Sequence, residues 1–221
     1  MYYVIMAGGY YDIFKGPKAL TEINGEMLID RTLRLLKENG IPYEKIYISS
    51  DYLPFKEKAQ LLNHDNNYRY ENGKLNGYWL DAFYPFFPEN TKVTYLFGDV
   101  YYSNEGIKTI INKDVNVNTL FGSLIGVLKS WQEPLAYKVI NYKEFLNGIK
   151  AVKRLQDQGK CNRTPLVWEL YRYLNNIDVN KHVLLPETYI NVINGGMDID
   201  YPGEREKVKT YFENINNNSG I

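Results

Sequence analysis

Apolar and polar blocks in the first part of the chain predict a strand, a glycine-rich loop, a helix and a second strand. The apolar run 2–6 stops at a Gly-Gly pair, as expected for a buried strand that ends in a loop. Apolar residues then recur at helical spacing over 27–36 as far as the helix stop at 39–40, and 45–49 is the next apolar run. This order predicts a parallel sheet with right-handed crossovers.

The rest of the chain continues to alternate between the two kinds of element. We predict strands over 93–97, 119–123, 135–140 and 189–193, and helices over 77–87, 104–112, 142–157, 165–175 and 203–215. The polar, asparagine-rich segment 51–76 predicts a short helix followed by a loop. The pattern as a whole predicts an α/β fold.

The chain of 221 residues is long enough for one large domain with a hydrophobic core. We expect residues 1–213 to form this domain and 214–221 to form a polar tail. The first residues include no basic leader, and no apolar stretch approaches the ~20 residues of a membrane span. We therefore expect a cytoplasmic protein that has no membrane partner.

Positive and negative charges balance, with 26 Lys and Arg against 26 Asp and Glu. Proteins that bind nucleic acids usually have a basic excess, so this balance argues against such a partner. The single cysteine, Cys161, excludes an internal disulfide framework and a four-cysteine zinc site. His64 and His182 are the only histidines, which argues against a histidine-rich metal centre. Small anionic ligands stay compatible with the composition, because they need only a few local positive groups.

Three chemically distinctive segments follow predicted strands: the loop at Gly8, the pair Gly98 and Asp99, and the aspartates Asp198 and Asp200. Ligands of open parallel sheets bind outside the carboxyl ends of the strands, so we expect these segments to share one crevice. Mg²⁺ is typically held by one or two protein carboxylates together with substrate phosphates. The aspartates are therefore a candidate Mg²⁺ site, although each of them alone also fits an ordinary turn.

The first loop, residues 7–18, has the composition of an anion-binding turn. Its glycines let backbone N–H groups approach a phosphate closely, and Lys15 and Lys18 supply positive charge. The loop matches neither the GxGxxG nor the GxxxxGK[ST] fingerprint. An ordinary βα turn with two surface lysines explains the same residues equally well.

Taken together, these segments resemble the nucleotidyltransferase superfamily, which includes sugar-1-phosphate nucleotidyltransferases, molybdenum-cofactor guanylyltransferases and phosphocholine cytidylyltransferases. The stretch 5–33 is similar to the opening motif of the family: an apolar strand, A-G-G, a loop, P-K-x-L and G-x-x-L-I-x-R-x-L. The stretch 96–100 is similar to the internal strand ending in G-D, and 197–202 to the closing D-I-D-T-P segment. The resemblance implies a three-layer, Rossmann-like fold of GT-A type: a single domain with a mixed, mostly parallel sheet flanked by helices.

The resemblance also implies an activity, namely Mg²⁺-dependent transfer of NMP from an NTP to a small phosphorylated acceptor with release of pyrophosphate. Lys18 would stabilise charge on the α-phosphate, Asp99 would be the main Mg²⁺ ligand, and Asp198 or Asp200 would be the second. The implied nucleotide-binding residues are Ala7, Gly8, Gly9, Lys15, Asn76, Gly77 and Gly98. An acceptor phosphate oxygen would attack the α-phosphorus in line, so positioning and charge neutralisation would supply the rate.

The sequence departs from the family pattern at two places. Many relatives have an arginine in the first loop that contacts the nucleotide phosphates, and this loop has none. Lys15 is a candidate substitute, but an ammonium group lacks the planar fork of a guanidinium. The usual threonine of the closing segment is Tyr201 here.

Few residues of the sequence indicate which nucleotide base and which acceptor the protein would bind. Asn76 can donate to and accept from a base edge, and Gly77 permits close approach, although Asn76 equally fits a helix N-cap. Compact relatives without a C-terminal β-helix often use CTP, which favours CMP transfer.

A sugar, polyol or amino-alcohol phosphate would suit as acceptor, with a product that feeds surface-polysaccharide or lipid decoration. Lys138, on a predicted strand, is the candidate ligand of the acceptor phosphate, although lysines are common on edge strands. Trp131, Tyr137 and Trp168 either cage a quaternary ammonium or belong to the core. The aromatic content also leaves room for a homodimer.

Two other functions are compatible with the sequence. In a GT-A glycosyltransferase the segment 198–200 would be the D-x-D metal motif, but its place near the C-terminus and the Pro17-Lys18 pair argue against this. A degenerate domain would bind a nucleotide without turnover, and the missing loop arginine favours that interpretation.

Overall fold

The computed structural model describes residues 1–9, 11–64, 69–71, 74–83, 86–124 and 132–218. The strands in these ranges are β1 (Tyr2–Met6), β2 (Glu22–Ile23), β3 (Glu26–Met27), β4 (Ile46–Ser50), β5 (Gln60–Asn63), β6 (Arg69–Glu71), β7 (Lys74–Asn76), β8 (Val93–Phe97), β9 (Val100–Tyr102), β10 (Thr119–Leu124), β11 (Gln132–Val139), β12 (Tyr189–Asn191) and β13 (Gly196–Asp198). The helices are α1 (Leu28–Glu38), α2 (Asn104–Asn112), α3 (Tyr142–Asp157), α4 (Val167–Leu174) and α5 (Arg205–Asn218).

Seven of the described strands form the central sheet, in the order β12-β10-β11-β8-β1-β4-β5. Strands β8, β1, β4 and β5 are parallel neighbours. Strand β11 is antiparallel to both β8 and β10, and β12 is parallel to β10. The sheet is therefore mixed and mostly parallel, and with its flanking helices it confirms the predicted α/β fold.

The main core surrounds the central strands of this sheet. Every residue of β8 is buried, because both faces of the strand are covered, and this explains its continuous apolar sequence. Leu36 of α1 and Phe145 of α3 are fully buried in the same core. The helices thus direct their apolar faces towards the sheet, as their periodicity predicted.

A second, smaller apolar cluster joins β9, β13 and α5. Its buried members are Ile23, Leu28, Tyr101, Met197, Ile199, Val208 and Phe212. Along and just after β13, the buried Met197 and Ile199 alternate with the partly exposed Asp198 and Asp200, as in a strand whose neighbouring side chains point to opposite sides. Burial of the two apolar residues therefore turns the two aspartates away from the cluster.

Two predicted segments differ from the structure. The segment 51–76 was expected to be a short helix and a loop, but it contains β5, the β6–β7 hairpin and a 3₁₀ turn over Leu53–Glu57. In the described part of 77–87, the expected helix is only a 3₁₀ turn over Trp79–Phe83. Three- and four-residue strands are too short to show a period in the sequence, so pairing with a neighbour decides them.

The C-terminal helix is longer than the sequence pattern indicated. It was expected over 203–215, and α5 continues to Asn218, into the segment predicted as a polar tail. No helix among the described residues is both long and apolar enough to cross a membrane.

The ends of β1 and β8 lie very close together. Met6 pairs with Phe97, and the Gly98 N–H donates to the Met6 carbonyl at 2.9 Å. A Cβ atom at position 98 would lie 2.5 Å from the Met6 oxygen and 3.1 Å from Ala7 Cα. The approach of these two backbones therefore requires glycine at this position.

Gly98→Ala is expected to destabilise the protein, because the added methyl forces the two strand ends apart. Overpacking of this kind usually costs about 1–3 kcal/mol, which lowers the melting temperature by roughly 3–10 °C in a chain of this size. Thermal unfolding followed by circular dichroism measures the change. Gly203→Ala is the matched control, since a Cβ there meets no atom within 4 Å. Equal melting temperatures for the two variants would contradict this account.

Candidate functional site

Lys18, Asp99 and Asp200 meet at the carboxyl edge of the parallel strands. Lys18 Nζ lies 3.2 Å from Asp99 Oδ2 and 3.0 Å from Asp200 Oδ1. Lys18 begins a 3₁₀ turn after the first loop, Asp99 lies between β8 and β9, and Asp200 follows β13. The structure thus brings together the lysine and two of the three aspartates that the sequence predicted.

Backbone hydrogen bonds hold the two carboxylates in place. The Ile199 N–H donates to the Asp99 carbonyl at 2.9 Å, and the Ile199 side chain is fully buried. Glu204 accepts hydrogen bonds from the backbone N–H groups of Asp200 and Tyr201, at 2.8 and 3.1 Å. The closing segment is therefore fixed on both sides of Asp200.

The ammonium group of Lys18 is a stable positive charge. Its side chain is only 12% exposed. Burial lowers the pKa of Lys18, but the negative charges of Asp99 and Asp200 outweigh that effect and raise the net pKa above its ordinary value. The nitrogen also lies 5.0 Å from the centre of the Tyr11 ring. Lys18 therefore stays protonated at neutral pH and can hold a negative charge.

The carboxylates fit a divalent cation only together with a ligand. Asp198 lines the same cleft of about 390 Å³ as Lys18, Asp99 and Asp200. Within the described ranges, no group of three His, Cys, Asp or Glu side chains is placed to hold a metal ion. One or two carboxylates completed by phosphate oxygens is the coordination typical of Mg²⁺. Asp99 and Asp200, which share one ammonium group, are the pair that suits it.

A narrow pocket opens beside these charges, below the strand ends. Its lining includes Ala7, Gly8, Gly98, Ser49, His64 and Trp79. Ser49 Oγ lies 2.9 Å from His64 Nε2, so a polar pair lies close to an aromatic ring. An apolar wall with a few fixed polar groups is the usual composition of a pocket for a small molecule. The motifs predicted Ala7, Gly8 and Gly98 at this place, whereas Ser49, His64 and Trp79 belong to no motif.

Two predicted phosphate-binding groups of the first loop are placed differently. The Gly9 N–H donates to Asp51 Oδ1 at 3.3 Å. This amide group, which was expected to donate to a phosphate, is therefore already bonded to a carboxylate. Lys15 is exposed, has a left-handed backbone with φ of 56°, and is not among the residues that line the cleft. The described residues of this loop that line the narrow pocket or the cleft are Ala7, Gly8, Tyr11 and Lys18.

The segment that was predicted to recognise the nucleotide base, residues 75–79, contributes Trp79 to the pocket and not the two residues that were predicted. Asn76 ends β7, and its side chain lies outside the described part of the structure. Gly77 is exposed, and its carbonyl accepts a hydrogen bond from Gln156 Nε2 at 3.4 Å. Trp79 lines the pocket instead. The helix N-cap considered for Asn76 is not formed, because this residue ends a strand.

Lys138, predicted to bind the acceptor phosphate, lies at the amino ends of the parallel strands, on the opposite side of the sheet from the cleft. It pairs with Thr94 near the start of β8, and Nζ donates to the carbonyls of Ile111 and Lys113 at 3.2 and 2.8 Å. Burial lowers the pKa of Lys138, and Asp114 offsets only part of this effect. Its strand runs antiparallel to β8, which carries position 138 away from the cleft. Lys138 is thus a structural residue.

Of the aromatic side chains considered as a cage for an ammonium group, the two that the structure describes lie in different environments. Tyr137 is fully buried in the core, whereas Trp168 lines the cleft. Trp131 lies outside the described residues.

A charged cluster that the sequence motifs did not predict lies on the wall of the cleft opposite the aspartates. Arg163 Nε and Arg172 Nη1 both donate to Glu169 Oε1, at 2.8 and 3.1 Å. The side chains of Glu169 and Arg172 are 3% and 5% exposed. Their spacing on the otherwise largely apolar helix α4 is a signal that could have revealed them, because charges at i and i+3 share one helix face.

No family profile and no curated protein matches the chain. Solved structures do resemble it. CTP:phosphocholine cytidylyltransferase from Streptococcus pneumoniae is 16% identical, with 96% of this chain and 98% of that one covered and a TM-score of 0.55. Inositol-1-phosphate CTP transferase from T. maritima is 13% identical, with 94% and 95% covered and a TM-score of 0.55.

A third similar structure is the nucleoside-diphosphate-sugar pyrophosphorylase from Vibrio cholerae RC9. It is 13% identical, with 95% of this chain and 100% of that one covered and a TM-score of 0.59. At identities this low, structural similarity shows a common fold and does not show a common activity. Because the likeness extends over nearly the whole of each chain, this protein has the nucleotidyltransferase fold that its sequence motifs predicted.

Proposed function

We propose that this protein transfers NMP from an NTP to a small phosphorylated acceptor and releases pyrophosphate, with Mg²⁺ as cofactor. The observation that carries the proposal is the ammonium group of Lys18 between the carboxylates of Asp99 and Asp200, beside the Gly8 loop. This arrangement offers a positive charge for a phosphate and two oxygen ligands for a cation within one cleft. The nucleotidyltransferase fold and the order of the three motifs support the same function.

Each group has a role that its placement allows. Asp99 and Asp200 would hold Mg²⁺, which supplies charge neutralisation on the phosphates when bound. Lys18 would donate to an α-phosphate oxygen and stabilise the charge that develops there in the transition state. The acceptor phosphate is largely ionised at neutral pH, with a second pKa near 6, so its oxygen needs no general base. Holding the two phosphates in line is then the main task of the protein.

We infer that CTP is the donor. The pocket lined by Ser49, His64 and Trp79 is narrow, about 60 Å³, and a pyrimidine base with its single ring needs less room than a purine. The Ser49–His64 pair offers polar groups to the edge of such a base, and Trp79 offers a ring for packing. Two of the similar structures are named as enzymes that use CTP.

The activity is tested by pyrophosphate release from CTP, UTP, GTP or ATP with Mg²⁺ and a panel of phosphorylated acceptors. Release should require an acceptor and should be fastest with CTP. Asp99→Asn should reduce it about 100-fold or more, because the variant loses a negative charge at the phosphate-binding centre. Asp114→Asn is the matched control, since Asp114 is exposed near Lys138 at the other edge of the sheet.

Three outcomes of this assay would contradict the proposal. Nucleotide binding without release for any acceptor would indicate a degenerate binding domain. Hydrolysis or transfer from a sugar nucleotide would indicate a glycosyltransferase. Equal rates for Asp99→Asn and Asp114→Asn would show that Asp99 is not a metal ligand.

Lys18→Met tests the cation site independently of activity. Without the ammonium group, the facing carboxylates repel each other by on the order of 1–3 kcal/mol, so stability should fall. Mg²⁺ should then raise the melting temperature of this variant more than that of the wild type, compared with NaCl at equal ionic strength. Lys138→Met should respond to Mg²⁺ like the wild type, because Lys138 Nζ binds backbone carbonyls. Equal Mg²⁺ responses in all three proteins would count against the site.

A further inference from the structure

A second pocket continues the catalytic cleft beyond the aspartates. Its volume is about 510 Å³, and its lining includes Gln132, Arg163, Trp168, Arg172, His182 and Leu184. Gln132, Arg163 and Trp168 also line the cleft that contains Lys18 and Asp99. We call this space the arginine pocket. A molecule held in it can extend directly to the phosphate-binding centre.

A buried carboxylate organises the two arginines of this pocket. Glu169 Oε1 accepts from Arg163 and Arg172, and Oε2 accepts from the Leu166 N–H at 2.8 Å. With three donors directed at it, this carboxylate is satisfied by its own surroundings. Two guanidinium groups face one carboxylate, so the cluster retains one positive charge in excess.

The arginines retain donor capacity after these contacts. Arg172 Nη1 donates to the Val179 carbonyl at 2.8 Å, and Nη2 lies 3.1 Å from His182 Nδ1, but the buried Nε has no hydrogen-bond partner in the part of the chain that the structure describes. Arg163 is 49% exposed, and its Nη1 and Nη2 form no hydrogen bond within the described residues. A guanidinium fork presents paired N–H groups to oxygen atoms. This pocket therefore selects ligands rich in oxygen acceptors.

We propose that the arginine pocket binds the body of the acceptor, and that the acceptor is a polyol or sugar phosphate and not an amino-alcohol phosphate. The inference rests on the proposed function. Hydroxyl oxygens accept from the free N–H groups of Arg163, and Trp168 supplies an apolar wall for the carbon skeleton.

The same pocket disfavours a cationic acceptor. An ammonium group placed against Trp168 would lie beside the uncompensated charge of the arginines, and like charges without water between them repel strongly. The carboxylate of Glu133 also lines the cleft, but this residue is only 5% exposed and has interactions of its own. The charge pattern thus separates the acceptor classes that the sequence left open.

The experiment compares acceptors in the pyrophosphate-release assay. Ribitol 5-phosphate, glycerol 3-phosphate, inositol 1-phosphate and glucose 1-phosphate represent one class, and phosphocholine and phosphoethanolamine the other. At least one member of the first class should exceed both members of the second by 100-fold or more in kcat/KM. Arg163→Gln should raise the KM of that acceptor at least tenfold and leave the KM of CTP unchanged. Arg154→Gln is the control, because Arg154 is an exposed arginine of α3.

The outcomes separate this inference from the proposed function. Preferred use of phosphocholine or phosphoethanolamine would overturn the inference and leave nucleotidyl transfer intact. If no acceptor releases pyrophosphate, the proposed function fails, and titration of ribitol 5-phosphate by calorimetry tests the pocket alone. Binding that Arg163→Gln weakens at least tenfold would support the pocket, and no binding would overturn it. Melting curves confirm that each variant is folded.

Discussion

Parallel pairing of β1 with β8 is the constraint on which the candidate site depends. The register aligns Met6 with Phe97, so the first loop and the Gly98-Asp99 turn leave the sheet side by side. This close approach leaves no room for a Cβ atom at position 98. The backbone bond from Ile199 to Asp99 then adds the closing segment to the same edge. Charges that are far apart in the sequence therefore meet because neighbouring backbones bring them together.

The charges that meet there stabilise one another and stay available for a ligand. Lys18 is largely buried, which alone would disfavour its charged form, and the two carboxylates reverse that effect. Asp99 and Asp200 are 31% and 45% exposed, so water and ions can still reach them. A preorganised group of partly exposed charges is well suited to accept a phosphate with its cation, because little has to move when the ligand enters.

The cleft has two walls of opposite character. One wall carries the aspartates and Lys18, and the other carries Arg163, Arg172 and Trp168. Such a division would suit the proposed reaction, because an acidic wall attracts a cation and a basic wall attracts oxygen acceptors. Glu169 of α4 holds the basic wall in place, since its buried carboxylate accepts hydrogen bonds from both arginines. The helix that forms this wall thus contributes to packing and to the charge of the cleft.

The sequence by itself determined the strands β1 and β8, whose apolar runs are unbroken, and the helices α2 and α3, whose periodic spacing is regular. It also placed Lys18, Asp99 and Asp200 in one crevice, because their segments follow predicted strands and ligands of open parallel sheets bind at the carboxyl ends of the strands. Only the tertiary structure decided the short strands, the distant position of Lys138 and the cluster of Arg163 with Arg172. Contacts between remote residues define these features, and local propensity carries no information about such contacts.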